Sequence, residues 1–187
     1  GCPADEAVVE LRIDQPLNAG ANASMSICSS FLSANMTTAL VGEDPGGTWT
    51  APDGSPHSGV FMPATDPTGV YTYNVPASGA CPGDQSFVTV FIQPAQFAGN
   101  DTVLAVCEGP LPIDLLLALP GAAAGGAWNG PTGVHSGEVI PTPGVAGTHT
   151  YTLAGTGICP PDVATVRLVV DAPSSAGTDG TASLCDQ

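Results

Sequence analysis

Six cysteines, three histidines and a recurrent set of aspartates are the residues of this chain with chemistry to offer. Cysteines can bind a soft metal, attack a carbonyl or cross-link. Zinc needs a close pair of ligands such as Cys-x-x-Cys. No such pair and no Cys/His cluster occurs in the sequence, so cross-linking is the reading that remains. The histidines are His57, His135 and His149, and the first two stand in the same motif, His57-Ser58-Gly59 and His135-Ser136-Gly137. Neither lies in a nucleophile motif. A His-Ser-Gly that recurs reads as a turn or strand-edge signature, and the chain is expected not to be an enzyme.

The aspartates fall into two series. Asp5, Asp84 and Asp162 each follow Cys-Pro-x, whereas Asn22, Asp101 and Asp179 follow Ala-Gly by two residues. A hard cation takes six to eight oxygens. Calcium at a junction built from Asp5, Asp84, Asp101, Asp162 and Asp179 is therefore the one cofactor left open, with turn capping as the competing role. No other cofactor is expected.

These spacings expose the organisation of the chain. Cys2-Pro3-Ala4-Asp5 recurs as Cys81-Pro82-Gly83-Asp84 and as Cys159-Pro160-Pro161-Asp162, at shifts of 79 and 78 residues. Each copy leads through an alternating strand to a second strand that ends in Cys28, Cys107 or Cys185. Between them lie two copies of a middle part, Gly47-Thr48-Trp49-Thr50 against Gly126-Ala127-Trp128-Asn129, and Gly69-Val70-Tyr71-Thr72-Tyr73 against Gly147-Thr148-His149-Thr150-Tyr151. Self-similarity at such a period is the mark of a repeat architecture.

Within one period, alternation and β-branched enrichment predict strands near 22–28, 36–41, 47–50, 58–62, 69–75 and 85–93. With 24 glycines and 19 prolines as punctuation, the fold class is all-β. The expected architecture is a tandem of immunoglobulin-like, Greek-key β-sandwich repeats of 78–79 residues. Trp49, Trp128, Tyr73 and Tyr151 are the expected core anchors. The boundaries are a closing strand of a preceding repeat at 1–16, repeat 1 at 17–95, repeat 2 at 96–173 and an opening strand of a following repeat at 174–187. The opening Gly1-Cys2-Pro3 does not look like a secretory leader, so the chain is expected to be a mature product or a fragment.

Charge narrows the partners. Arg12 and Arg167 face 17 acidic residues, for a formal net charge of -15. Such a surface repels phosphate backbones and anionic lipid, so neither nucleic-acid binding nor membrane insertion is expected. No run of about 20 apolar residues is present to span a bilayer. The cysteines point to an oxidising, extracellular setting. Two pairing schemes are open: Cys28 with Cys81 and Cys107 with Cys159, or Cys2 with Cys28, Cys81 with Cys107 and Cys159 with Cys185. Closing 53 residues is worth about 4.2 kcal/mol and closing 26 about 3.5, too close for loop entropy to choose.

The order of linker, strand, Cys, Gly-Gly-Thr-Trp-Thr, Pro-Ala-Thr-Asp-Pro-Thr-Gly-Val-Tyr-Thr-Tyr and Cys-Pro resembles the immunoglobulin- or PKD-like repeats of giant surface adhesins and gliding-type filaments of Bacteroidota. The resemblance implies a non-catalytic structural module of an extracellular filament or adhesin stalk on the cell surface. Its partners would be copies of itself or adjacent repeats. The alternative is a calcium-dependent or carbohydrate-binding surface module with a glycan partner. Separately, the chain opens on a closing strand and stops after an opening one, which leaves two readings open: head-to-tail assembly by strand sharing between subunits, or a window on a longer continuous repeat protein. The resemblance also favours the first pairing scheme, with Cys2 and Cys185 bonded to neighbouring repeats or subunits. It implies a corner hydrogen bond from Tyr71, from which the second repeat departs with His149. Asp101-Thr102-Val103 resembles the Asp-Thr-aliphatic acceptor of Bacteroidota O-glycosylation, which would put a sugar on Thr102.

Overall fold

The computed structural model describes residues 1–185 and divides them into two compact units. Unit 1 holds Gly1–Ala95 together with Gly157–Cys159; unit 2 holds Gln96–Thr156 and the residues from Pro160 onward. Both are built the same way.

In unit 1 the elements run β1 (Ala23–Cys28), β2 (Ala34–Asn35), a 3-10 turn (Met36–Ala39), β3 (Thr48–Thr50), β4 (Pro56–His57), β5 (Val60–Phe61), β6 (Gly69–Val75) and β7 (Asp84–Gln93). A five-stranded sheet of order β1-β7-β6-β3-β4 forms one layer, and the short β2-β5 ladder with its 3-10 turn belongs to the other side of the core. Unit 2 repeats this with β8 (Thr102–Cys107), β9 (Ile113–Asp114), a 3-10 turn (Leu115–Ala118), β10 (Ala127–Gly130), β11 (Gly133–His135), β12 (Glu138–Val139), a 3-10 turn (Pro143–Val145), β13 (Gly147–Leu153) and β14 (Asp162–Asp171). Its sheets are β11-β10-β13-β14-β8 and β12-β9. The chain is thus all-β, two immunoglobulin-like β-sandwich units in tandem. Among the described residues no helix is long and apolar enough to cross a membrane.

Alternation dictates which side chains enter the core. Along β7 the inward set is Ser86, Val88 and Val90; along β6 it is Tyr71, Tyr73 and Val75. In β14 and β13 the corresponding positions are Ala164, Val166 and Leu168, and His149, Tyr151 and Leu153. Trp49 and Trp128 sit on central strands at 6% and 4% exposure, each tilted against the tyrosine directly across the ladder, with ring centroids 5.1 and 4.8 Å apart. Indoles so placed present no open face on which a sugar ring could stack.

The tyrosine hydroxyls finish the core chemistry. Tyr73 donates to the carbonyl of Asp44 at 2.8 Å and accepts from the Gly47 amide at 2.9 Å. Tyr151 does the same with Ala123 and Gly126. A Cβ at Gly47 or Gly126 would run into the tyrosine ring, which is why glycine precedes the tryptophan strand in both repeats.

Three strand expectations change. Residues 36–41 do not extend: Asn35 accepts the Thr37 amide on its side chain and the chain turns into 3-10 geometry at Met36–Ala39, as Asp114 does for Leu115–Ala118. A polar side chain that satisfies the first free amide competes with the ladder and wins here. Residues 1–16 and 174–185 form no strand, because no described strand pairs with either segment and an unpaired strand is unstable in water. The part of the expected opening strand at 186–187 lies outside the described residues.

Removing the Trp49 side chain leaves a cavity against Tyr73, and Trp49→Ala is expected to destabilise unit 1 by about 3–5 kcal/mol. Trp128 then becomes the single tryptophan, so its fluorescence in a urea titration reports unit 2 and is expected to keep its midpoint while the far-UV transition of unit 1 moves to lower urea.

Candidate functional site

The opening strand runs parallel to the closing strand of its own repeat. Ala23 to Cys28 pair with Val88 to Gln93 in register, which sets Cys28 opposite Gln93 at the end of the sheet. The pairing is locked just beyond the strand, where the Ser29 amide donates to the Gln93 carbonyl at 2.9 Å. Cys28 is thereby held fully buried at a fixed point beside Gln93.

Its partner comes from far along the chain. The turn Gly157-Ile158-Cys159 leaves β13 and, before β14 begins, belongs to unit 1. There Cys159 is bonded to Cys28, with a Cα–Cα distance of 5.0 Å and a sequence separation of 131 residues. The expected pairs Cys28–Cys81 and Cys107–Cys159 are both corrected by this bond. Cys81, Cys107, Cys2 and Cys185 all carry free thiols, with Cys107 exposed and Cys81 half-buried. Topology gives the reason: parallel pairing of β1 with β7 places Cys28 at the Gln93 end of that strand, whereas Cys81 precedes Asp84 and lies at its other end. Loop closure over 131 residues is worth about 5 kcal/mol in the chain-entropy picture, more than either expected pair.

The seat of Cys159 is polar and close. Its Sγ lies 3.4 Å from the Gln93 carbonyl oxygen. Gly157 has φ +57°, the left-handed region, and a Cβ there would collide with the Gln93 side chain. Glycine is therefore required twice over, for the turn and for the approach.

The aspartate series does other work. Asp84 Oδ2 accepts the Ala19 amide at 2.9 Å and Asp162 Oδ2 accepts the Ala98 amide at 2.7 Å. Asp101 Oδ1 accepts the Thr165 amide at 2.8 Å, as Asn22 Oδ1 accepts that of Phe87 at 2.9 Å. Each carboxylate ties the incoming linker to the closing strand of its own repeat. Asp5 and Asp179 are exposed and outside any strand. Among the described residues no group of three or more His, Cys, Asp or Glu side chains is arranged to hold a metal. Thr102 opens β8, half-buried and opposite Val166.

The histidines form a corner that the sequence pattern did not show. Tyr71 donates its hydroxyl to the Pro67 carbonyl at 2.8 Å, and His149 places Nε2 2.8 Å from the equivalent carbonyl of Val145. The imidazole thus supplies the bond that its sequence appeared to lose. A second exchange accompanies the first. His57 Nε2 meets the Asp66 carboxylate at 3.3 Å in repeat 1, but the position of Asp66 is Gly144 in repeat 2, and His135 Nε2 instead meets His149 Nδ1 at 2.9 Å. The Gly137 amide donates to His135 Nδ1, so His135 carries its proton on Nε2 and donates it to His149, which donates in turn to Val145. Both rings are neutral in this arrangement. Burial, and then the neighbouring His149, hold the His135 pKa below its ordinary value of 6.5.

No protein-family model and no curated protein matches the chain. Solved structures similar to it include tandems of titin immunoglobulin domains. A three-domain titin segment aligns at 11% identity and TM-score 0.39 over 86% of this chain, which spans 65% of that segment's length. A two-domain titin tandem aligns at 12% identity and TM-score 0.26, covering 69% of this chain and 83% of the tandem. Titin Z1Z2 domains solved with telethonin align at 13% identity and TM-score 0.27, covering 86% and 95%.

Two outcomes follow from the geometry. Because the folded state holds His135 neutral while an unfolded chain takes up a proton near pH 6.5, unit 2 has this stability in full above about pH 6.5 and loses it progressively below. In a Trp49→Phe chain, where Trp128 is the single tryptophan, its thermal midpoint is expected to fall between pH 7.5 and 5.5, and His135→Gln to flatten that dependence. Cys159→Ser is expected to cost about 2–5 kcal/mol in urea, an effect that dithiothreitol reproduces in the unaltered chain.

Proposed function

We propose that the chain is a non-catalytic, load-bearing module of an extracellular stalk or filament. The observation that carries this reading is where the Cys28–Cys159 bond lies on the covalent path. A force applied between the two ends of the chain enters along residues 1–28, crosses the bond and leaves along residues 159–187. The intervening residues, which hold every strand except β1 and β14, lie in a closed loop and bear no extension. A disulfide closing each sandwich on itself would leave the linker and the remaining strands on the force path.

Chemistry supports the setting. A structural disulfide persists in an oxidising compartment, and the acidic, lysine-free surface favours solubility over adhesion to nucleic acid or anionic lipid. The aspartates that a calcium-dependent module would use are each committed to a backbone amide at Asp84, Asp101 and Asp162. No catalytic group has a role in this reading.

Single-molecule stretching between the two ends tests it. In the oxidised chain no unfolding step is expected to release the span from Cys28 to Cys159. Reduction is expected to add up to roughly 450 Å of contour length, the reach of the 131-residue span. Release of that length without reductant would end the load-bearing reading.

A further inference from the structure

The bond between Cys28 and Cys159 uses one cysteine of each kind. Cys28 ends an opening strand, as Cys107 and Cys185 do, and Cys159 stands in a Cys-Pro turn, as Cys2 and Cys81 do. The bonded pair belongs to consecutive repeats: the opening strand of one and the Cys-Pro turn of the next. Every repeat thus carries one half of a bond to each neighbour, and Cys107 and Cys81 are the two halves left over in the two complete repeats.

Both halves are already shaped for it. Cys107 is framed as Cys28 is. It stands opposite Asp171 in the parallel register, and the Glu108 amide donates to the Asp171 carbonyl at 2.8 Å, just as Ser29 does to Gln93. Cys81 is framed as Cys159 is. Its Sγ lies 3.4 Å from the carbonyl of Asp14, and Asp14 stands at the position of Gln93 in the preceding copy of the repeat. The Ala80 amide donates to Asp14 Oδ2 at 2.8 Å. Gly79 has the φ +57° of Gly157, and a Cβ on it would strike Asp14 as one on Gly157 would strike Gln93. The turn of Cys81 is therefore docked on the end of a closing segment beside which no opening strand lies among the described residues. That segment shows what it lacks: Val9 and Leu11 are 89% and 84% exposed, while Val88 and Val90 at the same repeat positions are fully buried.

We propose that Cys28–Cys159 is one rung of a ladder, in which Cys107 bonds to the Cys-Pro turn of a following repeat and Cys81 to the opening-strand cysteine of a preceding one, both repeats belonging to the same polypeptide. Each rung forms from two thiols and one small-molecule disulfide such as oxidised glutathione. The protein gains an S–S bond, and two glutathione thiols leave with the protons and electrons. Successive rungs overlap, since Cys107 lies inside the loop closed by Cys28 and Cys159. A backbone cut anywhere in the run then leaves the two sides covalently joined, which suits a stalk exposed to proteases.

The ladder deepens the load-bearing reading and rests on it, and the two fail separately. The test is a chain in which residues 1–158 are followed by residues 81–187, giving three complete repeats, with C107S in the added copy so that one Cys107 remains. Folded in a glutathione redox buffer and mapped without reduction, it is expected to contain Cys107 bonded to Cys159, and Cys28 bonded to the cysteine of the added Cys81-Pro82 turn. Cys28 bonded to the first Cys81 would overturn both readings. Cys107 left as a thiol or a glutathione adduct, with the Cys28 bond formed, would overturn the ladder alone. The unaltered chain gives a second measurement that does not depend on the added repeat folding. Its Cys81 and Cys107 are expected to remain glutathione-accessible, and a Cys81–Cys107 bond closed within one chain would overturn the ladder.

Discussion

Parallel pairing of the opening strand with the closing strand is the interaction on which the rest depends. It carries Cys28 along β7 to Gln93, away from the Cys-Pro turn that precedes β7. Antiparallel pairing would have returned Cys28 toward its own Cys81 and closed each sandwich on itself. The parallel register instead leaves Cys28 facing the place where the turn before β14 is docked, so a bond within one repeat becomes a bond between consecutive repeats. Strand direction, a property of the backbone ladder, decides the covalent connectivity of the molecule.

The two repeats show what may vary around that constraint. Ser86 donates to the Ala19 carbonyl from inside the core of unit 1, whereas Ala164 occupies its place in unit 2 without a polar group to satisfy. Tyr71 and Asp66 are replaced together by His149 and Gly144, and the corner bond to the carbonyl four residues back is kept by a different donor. A buried ring with a polar tip is tolerated there only with its hydrogen bonds made. The exchange leaves His135 facing His149 where His57 faces a carboxylate, and burial together with that neighbour holds the His135 pKa below its ordinary value.

Much of this was legible in the chain itself. The repeat, the all-β class, the tryptophan strands and five of the six strand regions in a period follow from residue order and alternation. What escaped was whatever depends on strands meeting in space. Residues 36–41 read as a strand because Thr37, Thr38 and Val41 are β-branched, but the Asn35 cap decided their geometry locally. His149 read as the loss of a corner because tyrosine and imidazole share no sequence signature, although each ends in a donor that reaches the same carbonyl. The disulfide was misread because the family resemblance favours a bond within each domain, while the true span of 131 residues joins consecutive repeats. The signal was present in the recurrence of Gly79-Ala80-Cys81 and Gly157-Ile158-Cys159: a left-handed glycine two residues before a cysteine marks a turn built to approach another backbone.

The central claim is that the covalent link skips from one repeat to the next, and the measurement that addresses it most directly is proteolysis of the oxidised chain between β1 and β13, followed by mass analysis before and after reduction. A single cut in that region is expected to leave one species of unchanged chain mass plus one water, which separates into two pieces only on reduction. A chain that falls into two pieces without reductant when cut between Pro82 and Thr156 would contradict the account, because it would show that no bond joins Cys28 to Cys159.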